Sequence, residues 1–339
     1  MTEPGTPRRN SSWARWTLLI LAALVGSTLL STLLLLQCAP TAPDTADRDP
    51  YRPPTSPADS AATVRAEMRN VDYHVDPDIV LHIRYLKGEL VPVRAGEPPV
   101  FEDGRSYTMR IQSSEIFIDT VSLGLLINRQ VFGYRGAPIR DLHLAVEGDQ
   151  LIQKGKLGNL PFTIHSTVAL TPGGEIRMHP VDVKVLGINA DGLMDKLGLE
   201  LDEMVKVQGG RGIRIEENDF VLDVAAILPP PHIQGTLSSV RLVAGGMVQR
   251  FGAADSLPPR RFFGDTALVS NYMSYRGSTI RFGKLTMHGT DLTIVDADPK
   301  DRFDFFLGRY HEQLVAGTHR TTPEDGLVLW MPDLSDITN

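Results

Sequence analysis

From about residue 63 onward, apolar residues recur at every second position, and this alternation restricts the chain to strands buried on one face. In "VDYHVDPDIVLHIRYLKGELVPV" (71–93), Val71, Tyr73 and Val75 share a face. Asp76-Pro77-Asp78 has turn composition, and Ile79, Leu81, Ile83 and Tyr85 follow at spacing two, which predicts a hairpin. The pattern returns over 106–121, 139–157, 161–188, 212–228 and 277–297, with turns at Glu147-Gly148-Asp149 and Thr171-Pro172-Gly173-Gly174. Connections this short favour antiparallel pairing. Three stretches carry helical spacing instead: Leu123, Leu126, Ile127 and Val131; Leu193, Leu197, Leu201, Met204 and Val205; and Phe303, Phe306, Leu307, Tyr310 and Leu314. Asp301 is placed to cap the last of these and Gly317 to end it. The fold class expected is α+β and β-dominated, a mostly antiparallel sheet with a few amphipathic helices.

Ahead of this body lies an uncharged run of 21 residues, Trp16 to Leu36. As a helix it would span roughly 30 Å, the thickness of a bilayer core. That exceeds the apolar region of an ordinary cleaved signal, so a retained transmembrane helix over 16–37 is expected. Lipidation of Cys38 after cleavage is an alternative, but Gln37 stands where a small residue is wanted; ordinary cleavage is a third reading. Arg8, Arg9 and Arg15 precede the run against Glu3 alone, while Asp44, Asp47 and Asp49 follow it against Arg48. The positive-inside rule then leaves residues 1–15 in the cytoplasm. In a bacterium it gives a single-pass inner-membrane protein with a periplasmic large domain. Ala23, Ser27 and Ser31, with Ala22 and Gly26 beside them, form a stripe of small residues suited to close helix contact. Residues 38–62 hold six prolines and no aliphatic side chain larger than alanine, the composition of a linker. The main body is placed at 63–251. Residues 252–339, after the loop-like "GAADSLPPRR", supply C-terminal strands and a helix expected to complete it.

At "FGYRGAPIRDL" (132–142) and "DADPKDRFDFFLGRYHEQLVAG" (296–317) the sequence resembles a family of uncharacterised bacterial envelope proteins, which have an N-terminal anchor and a β-rich body. The likeness covers most of the chain from about 105 and implies no activity, substrate or cofactor, so no functional residue is carried over. A looser likeness, in texture alone, is to phospholipid-binding proteins in which a curved sheet wraps a long helix.

Composition narrows the chemistry. The formal net charge is −7, and the first 37 residues hold three arginines and one glutamate, which leaves −9 on the rest. A body that acidic is ill suited to nucleic acid. One cysteine permits neither an internal disulfide nor a cysteine-based zinc site. "QGGRGIR" (208–214) lacks the Lys-Ser/Thr of a phosphate loop and reads as a turn before a strand. Asp296, Asp298 and Asp301 are weak candidates for an irregular calcium site, since "DADPKD" lacks the glycine and glutamate of an EF-hand loop. The nine histidines form no His-x-His or His-x-x-x-His pair, and no serine-nucleophile motif occurs. "LPPPHIQG" (228–235) reads as a stiff segment at a sheet edge or as a docking surface for a partner. "PPRRFFGD" joins Arg260 and Arg261 to Phe262 and Phe263, a combination suited to a lipid surface or a protein groove, or to plugging the core.

These features favour a non-enzymatic accessory or scaffold subunit of an inner-membrane complex. Its anchor would pack against a partner helix or a second copy, and it would need no cofactor and bind no nucleic acid. The alternative is a periplasmic protein that binds or transfers lipid or another apolar molecule. An envelope hydrolase comes third.

Overall fold

The computed structural model describes residues 63–186, 188–189, 212–216 and 218–337. The expected anchor, the linker, Cys38 and the stripe Ala22, Ala23, Gly26, Ser27 and Ser31 lie outside the described residues, as does the helix expected over 191–207. No helix among the described residues is long and apolar enough to cross a membrane.

Three long strands, β1 (Val64–Asp76), β2 (Ile79–Pro92) and β3 (Tyr107–Asp119), pair antiparallel. The turn between β1 and β2 falls at Pro77-Asp78, as the alternation predicts. In β1 the alternation slips at Asn70. Asn70 takes a left-handed backbone (φ 50°), a region asparagine tolerates better than most residues. Opposite it the pairing skips Arg84. Ala66 and Met68 face the core before the slip, and Val71 and Ile83 still face it after.

β3 runs directly into α1 (Thr120–Leu126), capped by Asp119, whose carboxylate accepts from the Val121 and Ser122 amides at 2.8 Å each. A π-helical turn over Ile127–Val131 continues it, and Leu123, Leu126, Ile127 and Val131 are all buried. The chain then forms a meander, β4 (Ile139–Glu147), β5 (Gln150–Leu157), β6 (Leu160–Leu170) and β7 (Ile176–Val185), turning at Gly148 and Gly174. β8 (Ile188–Asn189), β9 (Ile213–Glu216) and β10 (Asp219–Leu222) complete this second sheet, ordered β4-β5-β6-β7-β10-β9 with β8 on β7. Gly212, at φ 73°, makes the turn into β9 and sits against the short helix α2 (Val224–Ile227), where a Cβ would meet Ile227 at 2.5 Å.

The rest of the chain returns to the first sheet. β11 (His232–Gln234) lies parallel to β3, and β12 (Leu237–Val243) and β13 (Gly246–Phe251) extend it on that side. β14 (Tyr272–Gly277) pairs with β1 on the other side, and β15 (Ile280–Phe282) and β16 (Leu285–Met287) form a separate hairpin. β17 (Asp291–Asp296) pairs with β14, and β18 (Phe303–Phe306) with β1. A 3-10 turn leads into α3 (Tyr310–Ala316); β19 (Thr318–Thr321), β20 (Leu327–Met331) and α4 (Leu334–Ile337) end the described chain. The order is β12-β13-β3-β2-β1-β14-β17-β20-β19, so β14, β17, β18, β19 and β20 share one sheet with the strands of 64–119. The fold is thus β-dominated and mostly antiparallel, with parallel contacts at β1–β18, β3–β11 and β17–β20.

One expected helix is corrected. Phe303 and Phe305 are fully buried strand residues laid beside Val71 and Tyr73, and the helix begins only at Tyr310. Asp301 does not cap it, although Gly317 does end it. The apolar positions 303, 305, 307 and 310 fit a short strand and a following turn as well as they fit a helix, and pairing with β1 decides between them.

Candidate functional site

The first sheet has two faces of different character. One carries Met68, Met273, Ile294 and Leu329 in a single register row and belongs to the main core, which extends through α1 into the second sheet. The opposite face carries the next row, Arg69, Tyr272, Val295 and Trp330. Across it runs the connection from β13 to β14, residues 252–271.

Polar and apolar fastenings hold this connection down. Arg69 donates to the Leu257 and Ser270 carbonyls at 2.7 and 2.6 Å, and the Tyr272 hydroxyl donates to Pro258 O at 3.2 Å. The Arg260 guanidinium engages both carboxylate oxygens of Glu67 and lies 5.9 Å from the Tyr272 ring centroid. Burial works against its charge, but Glu67 holds its pKa above the usual arginine value. Reciprocal backbone bonds between Arg260 and Val269, at 3.0 and 2.7 Å, pinch residues 261–268 into a closed tip.

Inside the tip, Phe262 is buried edge-on against Tyr272 in a satellite core with Val295 and Val328. The Asp265 carboxylate accepts from Trp330 Nε1 at 2.9 Å and from the Phe262 amide at 3.2 Å. Gly264, at φ 92°, allows the tip to lie on β19 and β20, since a Cβ there would stand 2.8 Å from Arg320 Nη1 and 3.2 Å from the Trp330 ring. The four residues singled out by sequence therefore split in two: Arg260 and Phe262 are the fastenings, whereas Arg261 and Phe263 face outward. Phe263 is 46% exposed and Leu268 63% exposed. Arg320, exposed and 5.7 Å from the Trp330 ring centroid, adds a second cation against Gly264.

Asp296, Asp298 and Asp301 are not brought together as ligands, and no group of three potential metal ligands occurs among the described residues. Asp296 is buried, accepting from Asn271 and from the Asp298 amide at 2.8 Å each. Asp298 pairs with Lys300 at 2.9 Å, and Asp301 offers its backbone carbonyl to Asn271. Sequence reasoning missed a second buried carboxylate, Asp333, which accepts from the Asp304 amide at 2.7 Å. Burial pushes the Asp296 carboxyl up to about 6, against the hydrogen bonds it accepts and helped by Asp301 and Asp298. Burial likewise pushes Asp333 up to about 7, helped by Asp296, Asp301 and Asp304.

Three histidine–aspartate pairs were also not legible in sequence, because their members come from different strands: His74–Asp304 at 2.5 Å, His82–Asp72 at 2.8 Å and His179–Asp219 at 2.7 Å. Near the second pair, the Ser122 hydroxyl donates to Asp119 at 2.8 Å. Asp119 thereby stands between Ser122 and His82, and the group serves the α1 cap rather than a nucleophile with its base. A separate apolar recess lies between Leu81, Ile116 and Ile118 of the first sheet, Leu123 and Leu126 of α1, and Ile227 and Leu228 beside α2, with Gln249 in its lining.

Set against protein-family models, curated proteins and solved structures, the chain matches none.

Proposed function

We propose that the chain is a non-enzymatic, membrane-anchored accessory or scaffold protein of the bacterial envelope. Residues 16–37 cross the inner membrane, 38–62 are the spacer, and the β-rich body stands on the periplasmic side, completed by residues 252–339. The stripe Ala23, Ser27 and Ser31 packs against a partner helix or a second copy, while the body offers a contact surface. The observation that carries this reading is the tip 261–268. A closed loop fastened by Arg260, Phe262 and Asp265 presents Phe263 and Leu268 to solvent on a preformed support, with Arg261 between the fastenings. The displaced carboxylates Asp296 and Asp333, by contrast, are engaged with backbone amides of their own fold.

Purification of the full chain from its own membranes in mild detergent tests the proposal. Partner proteins, or a second copy, in fixed ratio are the expected result. Lipid retained by the body after delipidation, with no protein in fixed ratio, would instead favour the second reading, a binder of small apolar ligands. The recess between β2, β3, α1 and α2 has an almost wholly aliphatic and aromatic lining but room for little more than a water-sized molecule, so that reading would require it to widen.

A further inference from the structure

We infer that the tip 261–268 docks on an anionic bilayer surface, the one that residues 16–37 enter, and so fixes the pose of the body over the membrane. The inference rests on the anchored reading and gives its contact surface a partner.

Charge is the first reason. The residues after 37 carry a net −9, yet the tip exposes Arg261 with Phe263 and Leu268, and its Gly264 lies against Arg320 of β19. The one carboxylate of 261–268, Asp265, is taken up by Trp330 Nε1 and the Phe262 amide. Exposed apolar side chains flanked by arginines match an interface with acyl chains beneath anionic headgroups.

Geometry is the second. The spacer ends at residue 62, two residues before β1 begins at Val64, and Glu67, which holds Arg260, lies three residues further along that strand, roughly 10 Å away. Chain leaving the membrane therefore meets the sheet close to the base of the tip. The 25 residues 38–62 limit the reach from the membrane to at most roughly 80–90 Å. That limit holds the tip near the membrane at an effective concentration on the order of millimolar. Two inserted side chains, too weak for a free protein, suffice under that tether. Preorganisation lowers the ordering cost as well, because the pinched base and Gly264 fix the loop before contact.

The test uses the full chain reconstituted in nanodiscs, with Cys38→Ala and an environment-sensitive fluorophore on Phe263→Cys or Leu268→Cys. Val315→Cys, 85% exposed on α3, is the control. Discs of phosphatidylcholine, with and without phosphatidylglycerol, carry shallow doxyl-labelled lipid as quencher. The expected result is blue-shifted emission at 263 and 268, with quenching several-fold stronger than at 315. Phosphatidylglycerol should strengthen it, and Arg261→Ser with Arg320→Ser should abolish that gain. Emission and quenching at 263 equal to those at 315 in every disc would overturn the inference. So would a blue shift without quenching, which would mean contact between copies of the chain. Failure of the anchored reading shows separately, as protein that leaves the discs in alkaline carbonate. Unchanged near-ultraviolet circular dichroism of each labelled chain keeps loss of fold from passing as loss of contact.

Discussion

Phe262 and Phe263 are adjacent and identical in chemistry, yet one is a core residue and the other lies 46% open to water. Removing the first leaves a hole beside Tyr272 and Val295, and Phe262→Ala is expected to cost about 3 kcal/mol or more. Phe263→Ala should stay within about 0.5 kcal/mol. Urea denaturation of residues 63–339 reads both, and equal losses would show that the tip does not separate fastening from contact. A second prediction concerns Asp333. Its folded pKa of about 7 lies well above that of an unfolded aspartate, so the folded state keeps a proton the unfolded chain has lost. Stability is therefore lost as pH rises from about 4 to about 7, by at most about 4 kcal/mol, with Asp296 adding in the same direction. Asp333→Asn keeps an acceptor for the Asp304 amide and removes the charge. It should raise the melting temperature at pH 8 and shrink the difference between pH 5 and pH 8. Parallel pH profiles for the two proteins would place the effect on another group.

At the scale of elements, the π-helical turn after α1 and the strand β4 show how an exposed strand edge is managed. The Asn128 side chain donates to Leu142 O at 2.8 Å and accepts from Leu142 N at 3.1 Å, standing in for a neighbouring strand at that point of β4. Asn128→Ala removes both bonds and is expected to cost about 1–3 kcal/mol, with faster amide exchange at Leu142; unchanged exchange there would show that water replaces the side chain. Strands and turns were largely legible in sequence because alternation is a local signal, and the hairpins around Pro77, Gly148 and Gly174 follow it directly. Two features were not. The phase slip at Asn70 depends on one left-handed residue, which composition does not announce. Whether 303–306 is strand or helix was decided by β1, more than two hundred residues away. The candidate site was half legible. Arginine beside phenylalanine singled out this loop, but which of each pair faces inward depends on Glu67, Tyr272 and Trp330 from three other strands.

For the molecule as a whole, the anchor, the spacer and the tip form one proposed device, in which the stripe meets a helix in the bilayer and the tip meets the bilayer's surface. Ser27→Ile should weaken association through the anchor by blocking close backbone approach, while leaving insertion intact; Leu30→Ile, off the stripe, should change little. Co-purification from membranes, with the isolated anchor fused to a neutral protein compared against the full chain, reads the difference. Equal association of both variants with wild type would make the stripe incidental. The most direct measurement places a photo-crosslinking phenylalanine analogue at 263, 268, 285 or 315 of the full chain in living cells and follows lipid attached to the protein after illumination. All four positions carry exposed apolar side chains in the folded body. A body that rests on its membrane by the tip yields lipid adducts at 263 and 268 and little at 285 or 315; adducts at all four positions alike, or at none, would contradict it.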